Sequence, residues 1–170
     1  GATIAMVGDF KSVDTVSVRV ERAPAGARDA KDANALAEAL TANERAAVEA
    51  LESFGVIGGV ENGRSGTMAF ELDGDARART DADSGRTYYE FGYTTEVCRA
   101  TIEEGAGGDK ICVGPKGDLL ESIKRRSRVV VTFVGDGNSM AVLKASAVSS
   151  RFDSVREIMD RAVDSFVVRV

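Results

Sequence analysis

The stretch Arg128-Val129-Val130-Val131-Thr132-Phe133-Val134-Gly135-Asp136-Gly137-Asn138-Ser139-Met140-Ala141-Val142-Leu143-Lys144-Ala145-Ser146-Ala147 decides the fold class. Its first part is a β-branched run, which fits a pleated surface better than a helix. Gly135 to Asn138 then supplies the residue types that reverse a chain. Met140 to Ala147 returns as a second strand. Two such runs around a Gly/Asp/Asn turn predict a β-hairpin, and with it antiparallel pairing.

Downstream, Phe152, Val155, Met159, Ala162, Val163 and Phe166 recur at helical spacing and make one apolar stripe. Arg151, Glu157, Asp160, Arg161 and Asp164 fall on the other side. Ser150 is the predicted N-cap, with Asp153 in the first turn. Phe166 to Val170 is predicted as a closing strand.

Upstream, residues 98–127 are less regular. They hold a Gly-rich loop, Pro115, a predicted short helix at Asp118 to Lys124, and the basic cluster Lys124, Arg125, Arg126 and Arg128. Before them lies a long predicted strand. Tyr89, Phe91, Tyr93 and Val97 take one face; Glu90, Thr94 and Glu96 take the other. Asp73 to Arg86 is expected to be a polar loop. Met68, Phe70 and Leu72 alternate as another strand. Asp32 to Ser53 is rich in helix formers. Thr41 and Glu44 have capping-box spacing, so a second helix is expected to start there, buried through Val48 and Leu51 and ended by Gly55, Gly58 and Gly59. Thr15 to Glu21 alternates strictly, and Thr3 to Val7 is a short apolar strand. Early helices, a run of antiparallel strands and a terminal helix make an α+β pattern. No repeat or linker interrupts it, so residues 1–170 are expected to form a single domain.

The composition narrows the chemistry. The 170 residues are 44% apolar and 29% charged, which is enough for a real core. There is no histidine. That excludes Ser-His-Asp and Cys-His catalysis, His-ligated zinc and an imidazole proton shuttle. The net charge of −5 argues against nucleic acid as a partner. No apolar run approaches the roughly 20 residues that span a bilayer; no signal peptide is visible, and the start at Gly1 leaves a removed targeting segment open.

Three loops invite site readings. Asp73-Gly74-Asp75 with Asp81-Ala82-Asp83-Ser84-Gly85 suggests calcium, but the glycine is misplaced for an EF-hand and the twelfth position from Asp81 is Gly92. Gly105 to Lys110 suggests a phosphate loop but lacks GxxxxGK[ST]. The carboxylates are scattered, and no converging pair is expected. Cys98 and Cys112 enclose the Gly-rich loop. They read either as two unrelated thiols or as a disulfide. A disulfide closing a loop of about 15 residues would contribute roughly 3 kcal/mol and would imply an oxidising or redox-regulated compartment. Lys124, Arg125 and Arg126 read either as a solvated face or as a docking patch for an acidic partner.

Gly85-Arg86-Thr87-Tyr88-Tyr89-Glu90-Phe91 resembles the G-[KR]-x-Y-Y-x-[FYL] strand of the PsbP family, extrinsic proteins of the thylakoid lumen. The hairpin ending in Val142 to Ala147, the Ser150-Arg151-Phe152 entry to the last helix, and Ala162 to Val168 resemble that family's last elements, in order. Asp14 to Arg22 is similar to an earlier strand. Two departures stand out. The family's first hairpin has no counterpart, so either the chain is truncated before Gly1 or it lacks those strands, and residues 98–127 look like an insertion. Family histidines associated with metal have no counterpart here, so the resemblance carries over no metal site.

The resemblance implies a central antiparallel sheet with helices on both faces, an α/β/α sandwich. It implies no catalysis and no cofactor. It implies a peripheral, not inserted, subunit bound to photosystem core subunits and other extrinsic proteins at the lumenal face in the chloroplast. Photosystem II is favoured, with the subunit stabilising the oxygen-evolving centre and its retention of calcium and chloride. The alternatives within the family are a photosystem I-associated subunit and a redox-regulated assembly factor working through Cys98 and Cys112. The insertion, through Lys124, Arg125 and Arg126, is the candidate contact with the partner.

Overall fold

A computed structural model describes residues 2–9, 14–54 and 66–169, with the backbone alone at 2–9 and 50–54. The predicted stop at Gly55, Gly58 and Gly59 and the side chain of Leu51 lie outside the described residues. The chain divides into two compact units. The first comprises residues 1–40, 72–93 and 126–170; the second comprises 41–71 and 94–125.

The elements are β1 (Ala2–Asp9), β2 (Asp14–Arg22), α1 (Ala33–Leu40), α2 (Ala42–Phe54), β3 (Gly66–Leu72), β4 (Arg77–Thr80), β5 (Thr87–Cys98), β6 (Thr101–Glu104), β7 (Lys110–Val113), β8 (Leu119–Leu120), β9 (Ile123–Val134), β10 (Ser139–Val148) and α3 (Phe152–Asp164). The protein is α+β and mostly antiparallel sheet.

The first unit is built on the hairpin. β9 and β10 are joined by Gly135 to Asn138, with Gly135 at φ 61° and Gly137 at φ 79°, a left-handed backbone that glycine adopts without a Cβ penalty. Strands follow the order β1-β2-β10-β9-β5, with β3 next after β5 and β4 paired to β5. The β2–β10 register sets Val18 against Leu143 and Val16 against Ala145. These residues join Tyr88, Val130, Ala147, Phe152, Met159 and Val163 in one apolar cluster, with Val155, Phe166 and Val168 packed on it. The α3 stripe therefore covers the sheet as its spacing predicts. Each fully buried aliphatic side chain here contributes about 1.5–3 kcal/mol.

In the second unit α2 follows directly on Thr41, where the capping-box spacing places it. β6, β7 and β8 form a separate three-stranded antiparallel meander.

Four expectations fail. The polar stretch Asp73 to Arg86 contains β4, because a β5 edge was available to pair. The helix at Asp118 to Lys124 does not form: Leu119–Leu120 pair with β7, and β9 already begins at Ile123. Phe166 to Arg169 is not a strand; Val168 N–H donates to the Tyr88 hydroxyl at 2.9 Å, so a side chain replaces a neighbouring strand. Ser150 does not cap α3: a 3-10 turn, Ser149–Arg151, leads into the helix and no side chain caps it.

The turn between β4 and β5 is held by Asp81, whose carboxylate accepts hydrogen bonds from the Ser84 amide at 3.0 Å and from the Ser84 hydroxyl. Those bonds hold its carboxyl below the ordinary 3.8. A depressed carboxyl stabilises the fold above its unfolded pKa and loses that contribution as pH falls through the lower folded value. The turn should therefore keep its Asp81 bonds at pH 5 and lose them only below the ordinary carboxylate value. The Ser84 amide chemical shift across an acid titration checks this; a transition centred above pH 4 would contradict it.

Candidate functional site

The sequence singled out Cys98, Cys112, Lys124, Arg125 and Arg126. Cys98 closes β5 and Cys112 sits in β7. Their sulfurs are 1.97 Å apart, a disulfide with a sequence separation of 14. Both half-cystines are buried, at 0% and 4% exposure. Around them the second unit has a small core of Met68, Ile102 and the cystine itself, with Ala100 against it. The Ala100 N–H donates to Cys98 Sγ at 3.3 Å, and Lys110 Nζ donates to the Met68 carbonyl at 3.3 Å. β8 lies at the end of the meander with Leu119 73% and Leu120 39% exposed.

The basic residues lie on β9, not on a loop or helix. Strand alternation splits them: Lys124, Arg126 and Arg128 share one face and Arg125 takes the other. Lys124 is 60% exposed and stands 3.9 Å from Glu96, which also accepts a hydrogen bond from Ser122. Arg126 lies over the Phe152 ring, 4.3 Å from its centroid. Arg128 pairs with Asp160 at 3.4 Å. Arg126 and Arg128 thus serve internal contacts. Arg126→Ala should lower stability by about 0.5–1 kcal/mol through the lost cation–π contact. Lys124→Ala should stay within about 0.5 kcal/mol, as exposed pairs do. Paired urea denaturations check the contrast, and equal losses would contradict it.

Sequence reasoning missed a buried carboxylate paired with two arginines. Glu90, assigned to a polar strand face, is 2% exposed. Its two oxygens accept from Arg77 Nε and Arg79 Nε, both at 2.6 Å. The carboxylate raises the Arg77 guanidinium above its ordinary value through that hydrogen bond. Arg79 also donates to the Phe166 carbonyl at 2.9 Å and lies over the Tyr88 ring. Arg77 reaches Asp164 at 3.2 Å. β4 is therefore bolted to β5 and to the end of α3. The signal was present as Arg77-Ala78-Arg79, two cations at strand spacing, but it had no meaning until β4 was known to exist.

Glu157, Asp160 and Asp164 line one shallow, open depression on α3 with Arg161 and Ser165. Asp160 and Asp164 are already engaged, by Arg128 and Arg156 and by Arg77. Among the described residues no three acids or cysteines are grouped so as to hold a metal ion. No helix among them is long and apolar enough to cross a membrane.

No protein-family model and no curated protein matches the chain. Among solved structures, it is similar to the solution structure of cyanobacterial PsbP (CyanoP) from Synechocystis sp. PCC 6803. The two share 20% identity across 92% of this chain and 68% of that one, with a TM-score of 0.43.

Proposed function

We propose that this chain is a non-catalytic, PsbP-like extrinsic subunit on the lumenal face of a photosystem, with photosystem II the favoured partner. In this reading residues 1–170 form one domain with an insertion at about 98–127, and helices cover both faces of its sheet. The observation that carries the reading is where the family-like stretches meet. Residues 14–22, 85–91, 128–147, 150–152 and 162–168 supply every member of the first unit's apolar cluster except Val155 and Met159. The likeness therefore follows one packed framework rather than scattered surface words. Gly85, which opens the family-like strand, sits at φ 67° in the turn that starts β5, a position that favours glycine.

Such a subunit works by covering. A protein that binds only the assembled complex stabilises that complex by mass action, here the oxygen-evolving centre with its calcium and chloride. The exposed Lys124 in the insertion is the docking cation, acting through charge-steered encounter. Reconstitution tests the reading. Added to salt-washed photosystem II membranes, the chain should bind saturably at one copy per centre and restore oxygen evolution at low calcium and chloride. Lys124→Glu should weaken retention in a salt-dependent way. Absence of saturable binding to the washed membranes would end the assignment.

A further inference from the structure

We infer that the Cys98–Cys112 disulfide gates the order of the β6–β7–β8 meander, so that a dithiol reductant releases this lobe while the first unit stays folded. The inference stands on the lobe's own packing and needs no photosystem partner.

Among the described residues the lobe's apolar support is small. Of the four buried residues in its cluster, two are the half-cystines. Among the described residues, the other two are Met68 and Ile102, and β7 adds the buried Val113. The leucines of β8 face water instead of adding to it. Ordering some twenty residues against so little burial is unfavourable without a staple. The staple ties the end of β5 to the middle strand of the meander, and β7 in turn holds β6 on one side and β8 on the other. Opening it therefore loosens all three strands. The first unit has its own, larger cluster and contains neither cysteine.

The chemistry is a two-electron exchange. A thiolate of the reductant attacks Cys112 Sγ, the Cys98–Cys112 bond breaks, and Cys98 leaves as a thiolate that takes up a proton. The reductant's second thiol then attacks the mixed disulfide, releases Cys112 as a thiol and closes the reductant's own disulfide. Two features favour this direction. Cys112 is the less buried residue of the two and so the one reached first, and the Ala100 N–H donated to Cys98 Sγ stabilises a departing thiolate. Burial of both sulfurs means that a local opening precedes attack, so exchange tracks the lobe's own fluctuations.

The test uses the full oxidised chain in native buffer with millimolar dithiothreitol, thiols counted by mass after alkylation, and amide hydrogen exchange read by mass spectrometry. A closed loop of this length predicts about a hundredfold faster exchange for residues 101–113 after reduction. Residues 129–147 should keep their protection, and reoxidation with oxidised glutathione should restore the lobe. Three results would overturn the inference: a cystine that stays unreduced, unchanged protection at 101–113, or equal loss at 129–147.

Discussion

Replacing Arg77 and Arg79 together with methionine should lower stability by about 3 kcal/mol, the lower end of the range for stranding a buried charge. Both nitrogens that contact the Glu90 oxygens at 2.6 Å would be gone, and the carboxylate is 2% exposed. The loss lies at the low end because the Arg77 side chain is 60% exposed, so water can enter from that side once it is shortened. Adding Glu90→Leu to the pair should return most of the loss, since replacing a whole buried ionic group by apolar side chains is often neutral. Urea denaturation of the three proteins, followed by circular dichroism, decides it. A double variant within 1 kcal/mol of the parent would show that the triad is not a bolt.

Phe152→Ala should cost more, about 3–5 kcal/mol, as large-to-small changes at buried aromatics do. Phe152 opens α3 and is 4% exposed within the apolar cluster. Truncation removes its packing and leaves a cavity, and it also strips Arg126 of the ring beneath it. Against a typical domain stability of about 5–15 kcal/mol this is a large fraction. Phe152→Leu should recover more than half, because it refills the volume without restoring the cation–π contact. The difference between Phe152→Leu and the parent should then shrink when Arg126→Ala is present in both. Additive losses would show that the two residues are not coupled.

The framework was readable where one physical signal acted alone. The β9–β10 hairpin, the β2 alternation and the α3 stripe each show a single hydrophobic period. Sequence reading failed where polar groups did structural work. Ile123 to Arg128 is strand, but four of its six residues are cations, so no apolar alternation marks it. Arg126 covers the Phe152 ring at a position where a hydrophobe would be expected. β4 carries Arg77 and Arg79 inward toward a carboxylate, inverting the usual polar-out pattern. The tail after α3 looked like a strand from Val167 and Val168, but its backbone is claimed by Tyr88 and Arg79. Of the candidate site, the cysteine spacing left two readings open, unrelated thiols or a disulfide, and only the fold brings Cys98 and Cys112 together. The internal employment of the basic block was not legible, since it depends on partners far along the chain.

All three tyrosines, Tyr88, Tyr89 and Tyr93, stand on β5 within the first unit, and the chain has no tryptophan. Intrinsic fluorescence therefore originates from that unit alone, leaving the cystine-stapled lobe optically silent. A thermal melt followed by emission would score a reduced molecule with an open lobe as fully native. Isotopic or alkylation readouts would register as partly unfolded the same sample that a fluorimeter passes as intact.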